Sequence, residues 1–95
     1  MSGDCIFCNI INREIPADII FENDDVLAFR DLNPQASTHV LIIPKKHIST
    51  INAIAPDDAE LVGKLYLAAA EIAAVEGIAE QGYRVVMNCN EAAGQ

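Results

Sequence analysis

At 95 residues the chain makes a single domain, near the small end of what folds alone, with a core modest enough that a partner subunit would help. Apolar residues make up 52% and charged residues 21%, which excludes a disordered chain. Fourteen acids oppose six bases for a net charge of −8, and the six bases (Arg13, Arg30, Lys45, Lys46, Lys64 and Arg84) form no stripe, which argues against binding a nucleic-acid polymer.

In chain order, Asp4 is placed to cap a short helix over Cys5 to Asn12, with Phe7, Ile10 and Ile11 on one face. Arg13 to Ala17 carries Pro16 and reads as a connector. Asp18 to Glu22 is a strand, Asn23-Asp24-Asp25 a polar turn, and Val26 to Arg30 the return strand of a hairpin. A loop built on Asn33-Pro34 comes next. Thr38 to Ile43 is an apolar strand expected to be covered on both faces, and Pro44 ends it. A helix then runs from about Asp57 to about Gly77, with Asp57 and Glu60 spaced as a capping box. Leu61, Leu65, Ala68, Ala69, Ile72 and Ala73 make its buried stripe. Gly82 breaks the chain before a strand over Tyr83 to Met87, and Asn88 to Gln95 is a polar tail. The order is α-β-β-β-α-β, an α+β fold on an antiparallel sheet. A last strand with no closing element leaves an exposed edge or face, so the natural chain is expected to continue past Gln95.

The first residues, Met-Ser-Gly-Asp-Cys, lead into no apolar leader segment. The longest apolar stretch, Leu61 to Val75, is short and carries Lys64 and Glu71, so no membrane span is expected. Three cysteines are an odd number for a disulfide framework, which points to a reducing, cytoplasmic setting.

Chemistry can reside in few places. Cys5-Ile6-Phe7-Cys8 has the spacing of half a tetrahedral zinc site, with His47 as a third ligand. The same pair read as a redox motif lacks the preceding strand, and read as packing is two small buried hydrophobes. His39 and His47, the only histidines, bracket the apolar strand. His39 shares a face with Leu41 and Ile43, where an imidazole serves either function or packing. Asp31, at a strand end, can accept two hydrogen bonds from a vicinal diol, or simply start the Asn33-Pro34 turn. Phe7, Ile10, Phe29 and Leu32 can line a slot for a flat base or belong to the core, and for Phe7 the core is the expectation. Asn88 and Asn90 can meet ligand oxygens or form an Asx-turn.

Several stretches occur together in order. They are Ile-Phe-x-x-Ile-Ile with Glu14-Ile15-Pro16-Ala17, Leu27 to Ala36, Thr38 to Ile48, and Gly82 to Asn88. Through these the chain resembles the histidine-triad (HIT) superfamily, Hint branch, from Cys5 to Gln95. That resemblance implies a five-stranded antiparallel sheet with helices on one side, usually in a homodimer. Four strands are expected here and the fifth beyond the chain end. The His-φ-His-φ-His-φ-φ motif (φ apolar) that names the family is absent from these 95 residues. Residues 1–95 thus read as one HIT domain lacking its C-terminal triad segment.

The resemblance further implies a purine nucleoside phosphoramidase, in which a triad histidine attacks the α-phosphorus and water releases the nucleoside monophosphate from a nucleotidyl-histidine. Its partners are purine nucleoside monophosphates or their phosphoramidates, and catalysis needs no cofactor. By resemblance, Ile10, Phe29 and Leu32 match base-pocket positions, Asp31 the ribose-binding acid, Asn88 a residue near ribose and phosphate, and Gly94 a phosphate-loop glycine. His39 matches a supporting second-shell histidine, so no nucleophile is expected in this chain. Cys5, Cys8 and His47 match three ligands of a structural zinc found in some members, without the fourth. The alanine-rich helix is read either as a dimer contact or as purely intrachain core. The competing readings are a non-catalytic nucleotide-binding module and a zinc-stabilised interaction domain.

Overall fold

The computed structural model describes residues 5–90 and Ala92. The expected Asp4 cap, the phosphate-loop glycine Gly94 and the terminal Gln95 lie outside the described residues.

Helix α1 spans Ile6–Ile11. Its cap is Cys5, in extended conformation, whose Sγ accepts from the Cys8 N–H at 3.2 Å. A sulfur acceptor thus fills the place usually taken by an oxygen. Only Ile10 of this helix is buried; Phe7, expected in the core, is 42% exposed. Arg13 leaves the helix with φ 64°, a left-handed conformation that a side chain rarely adopts. Its guanidinium reaches Glu22 at 2.6 Å, which ties the turn to the next strand.

Strands β1 (Ile19–Glu22), β2 (Val26–Arg30) and β3 (Val40–Pro44) form an antiparallel sheet in sequence order. The Asn23 carboxamide closes the hairpin by accepting from the N–H groups of Asp25 and Val26, both at 2.9 Å. Ile19 pairs with Phe29 but Phe21 with Ala28, so β1 holds one extra residue at Ile20. That bulge puts Ile19 on one face of the sheet and Phe21 on the other. β2 pairs with β3 without slippage from Val26–Pro44 to Arg30–Val40.

By strand alternation, Leu27 and Phe29 share a face with their partners Ile43 and Leu41. Leu27, Phe29 and Ile43 pack with Ile10 of α1, joined at the margin by Ile11, Ile15, Ala17, Ile19 and Leu41. The other face carries Val26 and Ala28, both fully buried. Against it lies α2 (Ala59–Glu76), which contacts β2 and β3 and buries Ala68, Ala69, Ile72 and Ala73. The two helices therefore take opposite faces of the sheet, not the same side.

Two ion pairs tether α2 alongside β2, one from its second turn to the hairpin turn and one from its last residue to the end of the strand. Lys64 Nζ meets Asp25 Oδ2 at 3.0 Å, and Glu76 meets Arg30 through two bonds of 2.9 Å. Twelve helical residues rise about 18 Å and five strand residues about 17 Å, so helix and strand run side by side over matched lengths. Gly77, at φ 78°, ends α2 in the left-handed conformation, with Ile78 N–H returning to the Ala73 carbonyl at 3.0 Å.

Three sequence expectations change. The Asp57–Glu60 box does not form: residues Pro56–Asp58 make a 3₁₀ turn, and Asp58 reaches back to the Ala55 N–H at 2.9 Å. β3 is half-covered, since only Ile43 is buried and it is the edge of the three-stranded sheet. The fourth strand over Tyr83–Met87 is absent. The segment has no regular secondary structure and among the described residues joins no ladder, and Tyr83, Val85, Val86 and Met87 are exposed. Residues that favour extension become a strand only beside a partner.

Candidate functional site

The β2–β3 ladder continues one step past Arg30–Val40, where the Asp31 N–H donates to the His39 carbonyl at 3.0 Å. Alternation then places the Asp31 and His39 side chains on the α1 face, across from each other. His39 Nε2 lies 3.3 Å from Asp31 Oδ2, with side chains 30% and 24% exposed. The Asn33 N–H donates to Asp31 Oδ1 at 2.9 Å, which makes the Asx-turn that opens the loop. The Gln35 N–H donates to His39 Nδ1 at 2.9 Å. A neutral ring accepting at Nδ1 carries its proton on Nε2, the nitrogen that faces the Asp31 carboxylate.

On the same face of the sheet, Phe29 and Ile10 are buried, each 5% exposed, and the Phe7 ring tilts against Phe29 with centroids 6.2 Å apart. Of the residues matched to a base pocket, Ile10 and Phe29 thus meet in the core, and Leu32 projects outward at 92% exposure. Asn88 is exposed on the segment after Gly82. Among the described residues, the structure therefore brings together Asp31, His39, Ile10 and Phe29 and leaves Leu32 and Asn88 on the surface. Gln35 escapes a reading by side-chain chemistry, because it acts through its backbone. Asn33 reads in the sequence only as a turn former; the Asp-x-Asn spacing is the signal for its bond to Asp31.

Cys5, Cys8 and His47 converge as a second cluster. Their ligand atoms all lie within 4.8 Å of one another, and His47 Nδ1 is 3.0 Å from Cys8 Sγ. Bonded to a tetrahedral zinc, donors of this kind stand about 3.5–3.8 Å apart, so the three residues fit zinc after small adjustments, and two sulfurs with one imidazole suit that ion. The Cys8 side chain holds Cys5 below the ordinary thiol value, and Cys5 pushes Cys8 above it. Together the three residues link the start of α1 to the chain just after β3.

A crevice of about 470 Å³ lies at the other end of β2, between the hairpin turn and the start of α2. Its lysines are paired with carboxylates, Lys46 with Asp58 at 2.5 Å, Lys64 with Asp25 and Lys45 with Glu22. The Lys46 ammonium and then the Ala55 N–H hold the buried Asp58 carboxyl below the usual range. This is a structural brace rather than a ligand site.

Residues 12–95 match the HIT domain. The chain is 50% identical, over all 95 residues and 80% of that protein's length, to the purine nucleoside phosphoramidase of Escherichia coli K12. It superposes on a HIT family hydrolase from Legionella pneumophila with TM-score 0.95 and 52% identity, covering 97% of this chain and 82% of the other. A histidine triad nucleotide-binding protein from Candida albicans gives TM-score 0.87 at 35% identity, covering 97% and 66%. With an antiparallel sheet of matching shape and a family match across most of its length, the chain belongs to the HIT domain family.

Proposed function

We propose that this chain supplies the nucleoside-recognising part of a HIT-family hydrolase acting on purine nucleoside phosphoramidates. The observation that carries the reading is the 50% identity to a purine nucleoside phosphoramidase, uninterrupted along all 95 residues. Asp31 accepts the ribose hydroxyls, Ile10 and Phe29 form the floor beneath the base with Leu32 folding over it, and Asn88 and Gly94 lie toward the phosphate.

In this reaction an imidazole nitrogen attacks the α-phosphorus, the P–N bond breaks, and the amine leaves with a proton. Water then attacks the nucleotidyl-histidine and releases the nucleoside monophosphate. The imidazoles of the 95 residues are those of His39 and His47. His39 is held between Gln35 and Asp31, and His47 faces Cys8. Neither is placed as the nucleophile, so the 95-residue chain alone binds and does not turn over. Cys5, Cys8 and His47 hold a structural zinc away from the reaction, and no metal takes part in the chemistry. The exposed Tyr66, Leu67 and Val75 on α2 suit a homodimer contact. No helix among the described residues is long and apolar enough to cross a membrane. With three free cysteines, a cytoplasmic setting fits.

The test is release of AMP from adenosine phosphoramidate. Protein expressed from the full reading frame is expected to release it catalytically. Absence of release at micromolar enzyme sinks the hydrolase reading and favours a nucleotide-binding module. Turnover by the pure 95-residue chain overturns the account of the nucleophile.

A further inference from the structure

The geometry points to His39 as the positioning residue that presets Asp31 for a ribose diol, an inference that rests on the nucleoside reading above. A surface aspartate ordinarily turns about two side-chain bonds, and a diol captures it only by stopping that motion. Here the motion is already stopped. One carboxylate oxygen accepts from the Asn33 N–H and the other faces His39 Nε2. A carboxylate has about four acceptor positions. Two are used by these partners, and two remain for the paired hydroxyls.

The imidazole is fixed in its turn. Gln35 N–H donates to Nδ1, and the His39 carbonyl receives the Asp31 N–H. His39 therefore closes the loop from Asp31 to His39 from inside, by its side chain at Gln35 and by its backbone at Asp31. A residue serving only as packing has no need to place one ring nitrogen on the loop and the other on the acid. The ring acts through Asp31, so its effect is confined to ligands that carry the diol.

The experiment measures binding of AMP and of 2′,3′-dideoxyadenosine monophosphate by calorimetry, using protein from the full reading frame. His39→Ala is expected to weaken AMP by about tenfold, the scale of freeing one carboxylate to turn, and to leave the dideoxynucleotide nearly unchanged. His39→Gln, whose amide keeps both a donor and an acceptor, recovers most of the AMP affinity. His39→Ala added to Asp31→Ala costs nothing further. Equal losses for both nucleotides, additive losses in the double variant, or no rescue by Gln overturn the inference while leaving the nucleoside reading in place. Wild-type protein that binds neither nucleotide, or both equally, overturns the nucleoside reading and this inference with it.

Discussion

Asp31 starts the loop and is proposed to hold the ribose, and its geometry accommodates both duties. Oδ1 accepts from the Asn33 N–H and Oδ2 faces His39, which leaves acceptor positions over, so a turn former and a diol acceptor can coexist in one carboxylate. Asp31→Ala is expected to weaken AMP binding by about 1–3 kcal/mol, readable by calorimetry as roughly 5- to 150-fold in Kd. Unchanged affinity returns Asp31 to the turn alone. Leu27 has the opposite character, being fully buried with no polar duty. Leu27→Ala removes the centre of the cluster that joins α1 to the sheet, and should cost about 2–5 kcal/mol in urea unfolding.

At the scale of elements, α1 is short and weakly held. Six residues fall well below the length at which a helix is stable by itself, and a sulfur provides its cap. The Cys5, Cys8 and His47 cluster fastens this helix to the end of β3. Zinc binding only the folded protein raises stability with concentration, by about 2.7 kcal/mol at a hundredfold excess over Kd. Thermal unfolding of chelator-stripped protein should therefore rise on adding zinc, and Cys8→Ser should abolish the rise. A wild-type melting temperature indifferent to zinc removes the metal from the account. α2 needs no such aid, since it is bolted to both ends of β2 and stopped by Gly77.

Across the whole molecule, carboxylates paired with bases bind the layers together. Arg30 holds Glu76 below the ordinary glutamate range, Lys46 does the same for Asp58, and Lys45 followed by Arg13 for Glu22. A carboxyl lowered by folding adds stability above its unfolded value, and that stability is lost as pH falls through the folded value. The protein should therefore lose stability on the acid side of the carboxylate range. In pH-dependent urea unfolding, Glu76→Gln should flatten this acid limb; an unchanged slope would show that the α2 tether does not carry it.

The sequence showed β2 to the residue, because a polar turn and an aromatic, branched run mark a hairpin locally. It showed the stripe of α2 through Ala68, Ala69, Ile72 and Ala73, because helical spacing is also local. Asp31 stood out by its place at a strand end. The Cys5 cap and the Asp58 bond to Ala55 are local but were not legible, because a thiol is an unusual cap and a 3₁₀ turn replaces the expected box. The His39 bridge was not legible because it needs the β2–β3 pairing to bring Asp31 and His39 opposite each other. Tyr83–Met87 misled because its composition favours extension but cannot supply the neighbour.

The bulge at Ile20 makes the hairpin one residue longer than its ladder requires. Chain length is therefore not equally constrained along β1. Shortening Ile19-Ile20 to one isoleucine removes the surplus and leaves Phe21, Glu22 and the Asn23 turn seated as before. Losing Phe21 instead also removes the surplus, but it seats Ile20 opposite Ala28 in place of the aromatic ring. The bulge is where this strand can absorb the loss of a residue, and the isoleucine pair is the site that does so while keeping Phe21.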